Sequence, residues 1–356
     1  MLPLSGFAAQ WGIPSQKGIN IMGERINAQG GYKVGGKSYR IKLVEVDTEG
    51  NTEIALSKGN RLIHDEKIKF IIGPIFCGEV SALQSISEPN KILTMVYCFS
   101  PQALGPDKPY TFRLYSSGRE NMAAMYPFLK KFFPKVKTLG MSGLADEKET
   151  VELCVKMAEE AGFKVISIEH VPPGTSDWFP VLTKVVAKNP DAFIPVSAPP
   201  PEAGMIIQQK HQLGYKGLVI SPSHYDPNMI VAKAGAEAAE GFISMGPDFT
   251  GPNARPGLRY LYEKYTEKYK EFDPVSQASY GWLEILKIAI EKAGTLDTAG
   301  VIKTMENLEG EFVKGRFSFG GVKTYGIKRQ IIEPVDFSAI KNGKHVYLGA
   351  IIPSVP

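Results

Sequence analysis

Short runs of β-forming residues alternate with amphipathic helical patterns along most of this chain, and this alternation restricts the possible folds more than any other feature. Lys69–Ile72 is an apolar run, Glu79–Glu88 has helical spacing of apolar residues, and Ile92–Tyr97 is again β-rich. The same alternation continues from a helical pattern over 119–133 to a β-rich run over 241–245. Strands that alternate with helices form parallel sheets built from βαβ units. We therefore predict an α/β fold with parallel central sheets.

The pattern changes after Gly251. Two long helical patterns follow, over 256–269 and 275–293, and the chain ends in β segments that include a hairpin over 337–352 turning at Asn342-Gly343. We expect the long helices to return to the part of the protein that the chain built first, and the final strands to return to the part built second.

Two lobes are expected because 356 residues exceed the usual range for one compact core. We predict one lobe of residues 1–117 plus 250–325 and a second lobe of residues 118–249 plus 326–356. The chain would then cross between the lobes near 116–119, 247–252 and 324–328. Such crossings act as a hinge that allows closure around a ligand.

Charge and hydropathy exclude some classes of protein. The 41 basic and 37 acidic residues give a net charge of +4, and basic residues usually have acidic neighbours, so we expect no nucleic-acid partner. No apolar run is long enough to span a membrane. The sequence shows no signal peptide, yet it begins where a first strand should be ending. We therefore expect a precursor with a strand and an export signal upstream.

Two loops combine features that favour a small ligand. Leu4-Ser5-Gly6 precedes a helical pattern that carries Trp11, and Gly73–Gly78 ends a strand and opens a helix beside Phe76. Unpaired N–H groups and the helix dipole favour a carboxylate or another polar group at such a helix N-terminus. A large apolar side chain beside these donors is typical of a binding site for a small organic molecule.

Motifs for catalysis and cofactors are weak. Gly31–Ser38 matches the phosphate-loop pattern literally, but a strand is predicted over Tyr39–Val46, where that motif requires a helix. The five histidines show no metal spacing and no GxSxG motif is present, so we expect no enzyme, no cofactor and no metal. Cys77 as a nucleophile is the minority alternative to Cys77 as a wall of the site. Whether Cys77 and Cys98 form a disulfide stays open.

Other polar residues have two interpretations. His224 precedes the helix cap Asp226-Pro227 at the edge where open α/β sheets bind ligands, and we favour it as a site residue. Arg119 lies at the first expected crossing, where it could hold a ligand carboxylate or form a hinge salt bridge.

Taken in order, a set of short motifs resembles the type I periplasmic solute-binding proteins of the branched-chain amino acid ABC transporter family. The matching pieces cover nearly the whole chain in the order of the family: Leu4-Ser5-Gly6, Trp11-Gly12, Asn27–Gly31, Val46-Asp47-Thr48, Gly73-Pro74, Cys77-Gly78, Phe112-Arg113, Pro173–Asp177, Pro201-Glu202 and Ala238–Gly241. No single piece is diagnostic, but the ordered set is highly specific.

The resemblance implies two Rossmann-like lobes joined by a three-crossing hinge, a cleft that closes on one small ligand, and delivery of that ligand to an ABC transporter permease. It implies a periplasmic or extracellular protein. Together with the loops described above, it places the ligand contacts at Trp11, Phe76, Cys77, Gly78, Cys98, Phe99, Ser100, Tyr115, Ser117, Arg119, Asp146, Ala198, Ser223 and His224.

Departures from the family pattern point to the ligand. Serines stand near 116–117 and at 223, where amino-acid binders of the family carry acids that hold the ligand ammonium group. Phe99 adds flat apolar surface, although Asp146 could still serve an ammonium group. We therefore expect an aromatic or apolar carboxylate. A branched-chain or aromatic amino acid is the second interpretation, and a cytoplasmic sensor of an amide or urea with the same fold is the third.

Overall fold

The chain forms two compact α/β units in the computed structural model, which describes residues 1–145, 148–172, 174–196, 198 and 200–355. Unit 1 contains residues 1–117, 254–334 and Val355, and unit 2 contains residues 118–253 and 335–354. The chain thus passes between the units after residues 117, 253, 334 and 354. Residues 326–334, which the sequence pattern assigned to the second lobe, lie in unit 1.

The elements of the first part of unit 1 are α1 (Ala9–Ala28), β1 (Tyr32–Val34), β2 (Lys37–Tyr39), α2 (Thr52–His64), β3 (Phe70–Ile72), α3 (Cys77–Ser87), β4 (Leu93–Val96) and β5 (Thr111–Arg113). The elements of the first part of unit 2 are α4 (Gly118–Phe132), β6 (Thr138–Leu144), α5 (Lys148–Glu160), β7 (Lys164–Val171), α6 (Phe179–Lys188), β8 (Ala192–Pro195), α7 (Pro200–Gln212), β9 (Leu218–His224), α8 (Pro227–Ala234), α9 (Ala236–Ala239) and β10 (Ile243–Met245).

The chain then returns to unit 1 with α10 (Pro256–Tyr269), α11 (Gln277–Tyr280), α12 (Trp282–Ala293), α13 (Thr298–Met305), β11 (Gly310–Phe312), β12 (Gly315–Gly320), α14 (Val322–Tyr325) and β13 (Gln330–Ile332). It ends in unit 2 with β14 (Val335–Lys341) and β15 (Lys344–Ile351).

The main sheet of unit 1 has the strand order β11-β12-β13-β5-β4-β3. Strands β3, β4, β5 and β13 run parallel, and β12 and β11 are added antiparallel at one side. The residues of β4 are all buried, as expected for a parallel strand that is covered on both faces. β13 pairs with β5 through Gln330 and Arg113, and this pairing explains why residues 326–334 belong to unit 1.

The main sheet of unit 2 has the order β15-β14-β10-β9-β8-β6-β7. Its central strands are parallel, and the β14–β15 hairpin is antiparallel. The hairpin turns at Asn342-Gly343, as predicted, with both residues at positive φ (50° and 70°), which a tight hairpin turn requires. The core beneath it includes Phe128, which stacks on Phe337 with ring centroids 4.1 Å apart.

The prediction of a strand over Tyr39–Val46 is wrong for most of that range. Only Tyr39 lies in a strand, β2, which pairs with β1 in a small hairpin, and residues 40–46 line an apolar groove with β3. Asp47 forms an isolated parallel bridge with Leu2. Around that bridge the Leu2 N–H donates to the Val46 carbonyl at 3.0 Å, and the Thr48 N–H donates to the Leu2 carbonyl at 2.9 Å.

Candidate functional site

The sequence-predicted ligand contacts of unit 1 meet at one edge of its main sheet. Phe76, Cys77 and Gly78 follow β3, Cys98–Ser100 follow β4, and Tyr115 follows β5. Because these strands are parallel neighbours, their carboxyl ends lie at the same edge. We call these residues, together with Trp11 in the first turn of α1, the rim of unit 1.

Aromatic rings line the rim of unit 1. Trp11 packs edge-on against Phe76 with ring centroids 6.1 Å apart. Phe99 packs on Tyr115 at 5.8 Å, and Tyr115 in turn packs on Tyr97 at 5.4 Å. Phe99 remains 49% exposed, which is unusual for so large an apolar side chain at the end of a buried strand. The rim therefore offers flat apolar surface beside the start of α3.

A disulfide joins Cys77, the first residue of α3, to Cys98 in the loop after β4. This bond settles the pairing that the sequence left open. The interpretation of Cys77 as a nucleophile is wrong, because its sulfur is bonded to Cys98 and no thiol remains there. The backbone N–H of Ser100 donates a hydrogen bond to the Cys77 sulfur at 3.4 Å, so the two loops are also joined non-covalently.

The buried side chain of Arg113 holds the loop after β4 through hydrogen bonds. The Arg113 guanidinium donates to the carbonyl oxygens of Cys98 (3.1 Å) and Ser100 (2.9 Å), and its Nε donates to Oε1 of Gln330. Gln330 Nε2 donates in turn to the carbonyl of Tyr115 at 3.1 Å. Arg113 is fully buried, and a buried charge that is hydrogen-bonded in several directions stabilises one geometry of the surrounding backbone.

The loop before α1 is held by a carboxylate. Asp47 accepts hydrogen bonds from the backbone N–H of Leu4 and from the hydroxyl of Ser5, both at 2.7 Å. Partial burial alone would raise the pKa of Asp47, but the hydrogen bonds from Ser5 and from the N–H groups of Glu49 and Leu4 lower it, so the group stays ionised. This contact connects the Val46–Thr48 motif to the loop that leads to Trp11.

Glu79 is the third residue of α3, and its side chain caps the start of that helix. Its Oε2 accepts the backbone N–H of Phe76 at 3.2 Å. The side chain is 1% exposed, and burial raises the pKa of Glu79 above its usual value. Part of the donor capacity at this helix N-terminus is therefore used within the chain.

The sequence-predicted residues of unit 2 also group at the carboxyl ends of parallel strands. Ala198 follows β8, and Ser223 and His224 are the last residues of the neighbouring strand β9. The Tyr225 hydroxyl donates to the Ala198 carbonyl at 2.7 Å and connects the two segments. The cap Asp226 accepts the N–H of Asn228 at 3.0 Å, as its position before Pro227 predicted.

Three sequence-predicted residues are placed less specifically. Arg119 lies in the first turn of α4. Asn121 of the same helix donates to the Pro222 carbonyl of β9 at 3.0 Å, so the start of α4, with Arg119, lies near the end of that strand. Ser117 is buried at the end of unit 1. Asp146 lies outside the described residues.

Some positioning residues were missed by the sequence interpretation. Glu202 in α7 is buried and accepts the Gly174 N–H at 3.2 Å, and burial raises its pKa. Gln330 was assigned only to the final β segments, although it organises the loops after β4 and β5. Glu202 and Gly174 both lie in motifs that carry the family resemblance, Pro201-Glu202 and Pro173–Asp177, whereas the sequence signal for Gln330 is a polar residue inside an otherwise apolar strand pattern.

The described residues also bear on metal binding, membrane insertion and the phosphate-loop motif. Within the described residues, no group of three or more His, Cys, Asp and Glu side chains could hold a metal ion. No helix among those residues is long and apolar enough to cross a membrane. The Gly31–Ser38 motif forms the β1–β2 hairpin and leads into no helix, which a phosphate loop requires.

Comparison with known proteins defines the class to which this fold belongs. The family model described as periplasmic binding protein matches residues 1–344. The chain belongs to that family and has the type I periplasmic binding protein fold, as the resemblance implied.

Individual relatives and solved structures are similar to this chain over most of its length. The chain is 24% identical over 314 residues to the Leu/Ile/Val-binding protein homolog 3 of Brucella melitensis, covering 86% of this chain and 81% of that protein. Two solved structures share the fold. One is the branched-chain amino acid transporter substrate-binding protein of Streptococcus pneumoniae in complex with isoleucine (TM-score 0.80, 19% identity, 99% and 98% covered). The other is an ABC transporter solute-binding protein of R. palustris in complex with benzoate (TM-score 0.75, 20% identity, 99% and 95% covered).

Proposed function

We propose that this protein is the solute-binding receptor of an ABC importer and that it captures a small carboxylate whose remainder is aromatic or apolar. The observation that carries the proposal is the rim of unit 1, where Trp11, Phe76, Phe99 and Tyr115 surround the start of α3. Pockets for small molecules are mostly apolar, with a few oriented polar groups. The protein is exported and delivers its ligand to a membrane permease, as its family relationship supports.

Each polar group has a proposed role. The N–H groups at Cys77 and Gly78 and the hydroxyl of Ser100 hold the carboxylate. The Ser100 hydroxyl oxygen accepts the N–H of Gln102 at 3.2 Å and retains its own O–H as a donor. Unit 2 supplies further ligand contacts at Arg119, Ala198, Ser223 and His224, and Ser117 and Asp146 complete the proposed set.

The preference against an ammonium group rests on charge. None of Arg119, Ala198, Ser223 and His224 is acidic, and Oε2 of Glu79 is already used by the backbone N–H of Phe76. A ligand ammonium that lost water without gaining a carboxylate partner would be costly. A solute-binding protein of this fold that was solved with benzoate supports a carboxylate ligand of this kind.

A branched-chain or aromatic amino acid is the second candidate. It is favoured by the relatives, which carry the name Leu/Ile/Val-binding protein, and by the structure solved with isoleucine. Asp146 is the residue through which this chain would hold the ammonium group of such a ligand.

Two matched ligand pairs separate the candidates by calorimetry. Phenylalanine and 3-phenylpropionate differ by the ammonium group, as do leucine and 4-methylpentanoate. We expect each acid without the ammonium group to bind at least about ten-fold more tightly, because ten-fold corresponds to only about 1.4 kcal/mol. Tighter binding of the amino acids, lost in Asp146→Asn, would establish the second candidate. Failure of all four, and of benzoate, would refute the receptor proposal for this ligand class.

Trp11→Ala tests the location of the site. We expect the dissociation constant to rise by a factor that corresponds to roughly 1–3 kcal/mol, the scale for a buried aromatic contact. Ile13→Ala is the matched control, since Ile13 is exposed on the same turn of α1. Recovery of the ligand unchanged after prolonged incubation, checked by mass spectrometry, distinguishes binding from turnover.

A further inference from the structure

The loop after β4 carries Phe99 and Ser100, two of the proposed ligand contacts, and it is anchored from two sides. On one side the disulfide binds Cys98 to the first residue of α3. On the other side Arg113 donates to the carbonyl oxygens of Cys98 and Ser100 at 3.1 and 2.9 Å. We infer that the Cys77–Cys98 disulfide is a positioning device that keeps this loop in its binding geometry before the ligand arrives, so that ligand affinity depends on the redox state of the bond.

The two anchors differ in what they fix. Arg113 holds the backbone of the loop to β5 and, through Gln330, to β13. The disulfide fixes the loop relative to α3, where the proposed carboxylate donors lie. Besides that bond, the Ser100 N–H donates to the Cys77 sulfur at 3.4 Å, and Gln84 of α3 donates to the Ala103 carbonyl at 2.8 Å. The Cys98 N–H also donates to the carbonyl of Ile75, just before α3, at 3.2 Å. Breaking the disulfide removes the covalent link between the aromatic and the polar parts of the rim, at the residue that directly precedes Phe99.

Burial around the disulfide indicates that the fold survives reduction. Cys98 is 3% exposed and lies in a small apolar cluster with Val80, Val96 and Ala103. Two thiols in this environment remain packed as small apolar groups. Reduction is thus expected to leave the fold intact and the loop less ordered. Ordering the loop when the ligand binds then lowers the affinity.

A dithiol is the reductant that we consider for this step. Its two S–H groups give up two electrons and two protons and form a disulfide, the Cys77–Cys98 bond breaks, and the protons end on the two protein thiols. Cys77 is the accessible end, because it is only partly buried whereas Cys98 is almost completely buried.

The experiment uses the full chain with Cys154→Ala, which removes the third cysteine, a buried residue of unit 2. Hydrogen exchange of residues 97–103 is measured without ligand in the oxidised protein, after reduction by dithiothreitol, and in the variant with both Cys77→Ala and Cys98→Ala. We expect faster exchange of this segment in the latter two, while β3 and β4 stay protected. Unchanged exchange of residues 97–103 in the reduced protein would overturn the inference and leave the receptor proposal untouched.

Calorimetry supplies the second readout, and this part rests on the proposed function. With 3-phenylpropionate or phenylalanine, whichever the oxidised protein binds, we expect reduction to weaken binding about ten-fold. Equal affinity in both redox states would refute the role in positioning. Global loss of secondary structure on reduction would instead show that the bond stabilises the whole unit, and would also overturn the inference. If neither probe binds the oxidised protein, the receptor proposal fails, and the claim about affinity fails with it.

Discussion

Replacing Arg113 by methionine should destabilise unit 1 substantially. Methionine retains most of the length and apolar surface of arginine but has no N–H donor and no charge. Two buried acceptors then lose their donor, the carbonyl oxygen of Cys98 and Oε1 of Gln330. The partly buried carbonyl of Ser100 loses the Arg113 donor but keeps the N–H of Ala103 at 3.2 Å. The guanidinium also lies over the ring of Tyr325 at 4.9 Å, and that contact is lost as well.

The magnitude follows from opposing effects. Each unsatisfied buried acceptor costs about 1–3 kcal/mol, so two of them give roughly 2–6 kcal/mol. Removing the guanidinium also removes the several kcal/mol that its burial costs in the folded state. We expect a net loss of about 2 kcal/mol in the free energy of unfolding of unit 1.

Tryptophan fluorescence during urea unfolding can isolate this unit. The chain has three tryptophans, of which Trp11 and Trp282 lie in unit 1 and Trp178 lies in unit 2. In a Trp178→Phe background the signal therefore reports unit 1. Arg113→Met combined with Gln330→Leu should lose less than the sum of the single variants, because each single variant leaves a buried partner unsatisfied. A loss below about 1 kcal/mol for Arg113→Met, or strict additivity, would refute the reasoning.

Other parts of the chain give independent predictions. Burial raises the pKa of Glu79, so the native state binds the proton more tightly than the unfolded state does. Thermal melting should therefore show that Glu79→Gln gains stability relative to the wild type as the pH rises from 4 to 7. A difference in melting temperature that stays constant with pH would contradict the shift. Phe128→Ala should lower the free energy of unfolding of unit 2 by roughly 3–5 kcal/mol in urea denaturation, because Phe128 is fully buried on Phe337; Phe132→Ala, an exposed neighbour on α4, is the control and should cost much less. Adding ATP and Mg²⁺ should leave the melting temperature unchanged, since residues 31–38 form a hairpin; a saturable rise would show nucleotide binding.

Local pattern was sufficient for most of the architecture. The apolar runs at β3 and β4 and the Asn342-Gly343 turn encode their structure within a few neighbouring residues, which makes them readable from one sequence. Residues 40–46 have the composition of a strand, but strand formation depends on a partner that local composition does not describe. A β-rich sequence is therefore a weaker predictor than a helical period.

The organisation of the candidate site was less accessible to the sequence. Arg113 and Gln330 are 217 residues apart, and their contact follows from the pairing of β5 with β13 in the folded sheet. The disulfide likewise depends on the distance between the ends of β3 and β4, which the spacing of Cys77 and Cys98 does not fix. Residue type predicted which side chains could contact a ligand, whereas the residues that hold them in place required the fold.

Unit 1 is built from segments that are far apart in the sequence, and this affects how it folds. α1 packs against α11, and the Ser279 hydroxyl donates to the carbonyl of Ser15, 264 residues earlier. At about 5–20 residues per second, a ribosome needs roughly 13–50 seconds to synthesise the segment that covers α1. During that time the apolar face of this first helix is exposed to other chains and to chaperones. Folding of unit 1 is therefore expected to finish only after the segment that carries α11 is available, with a rate limited by closing a long loop.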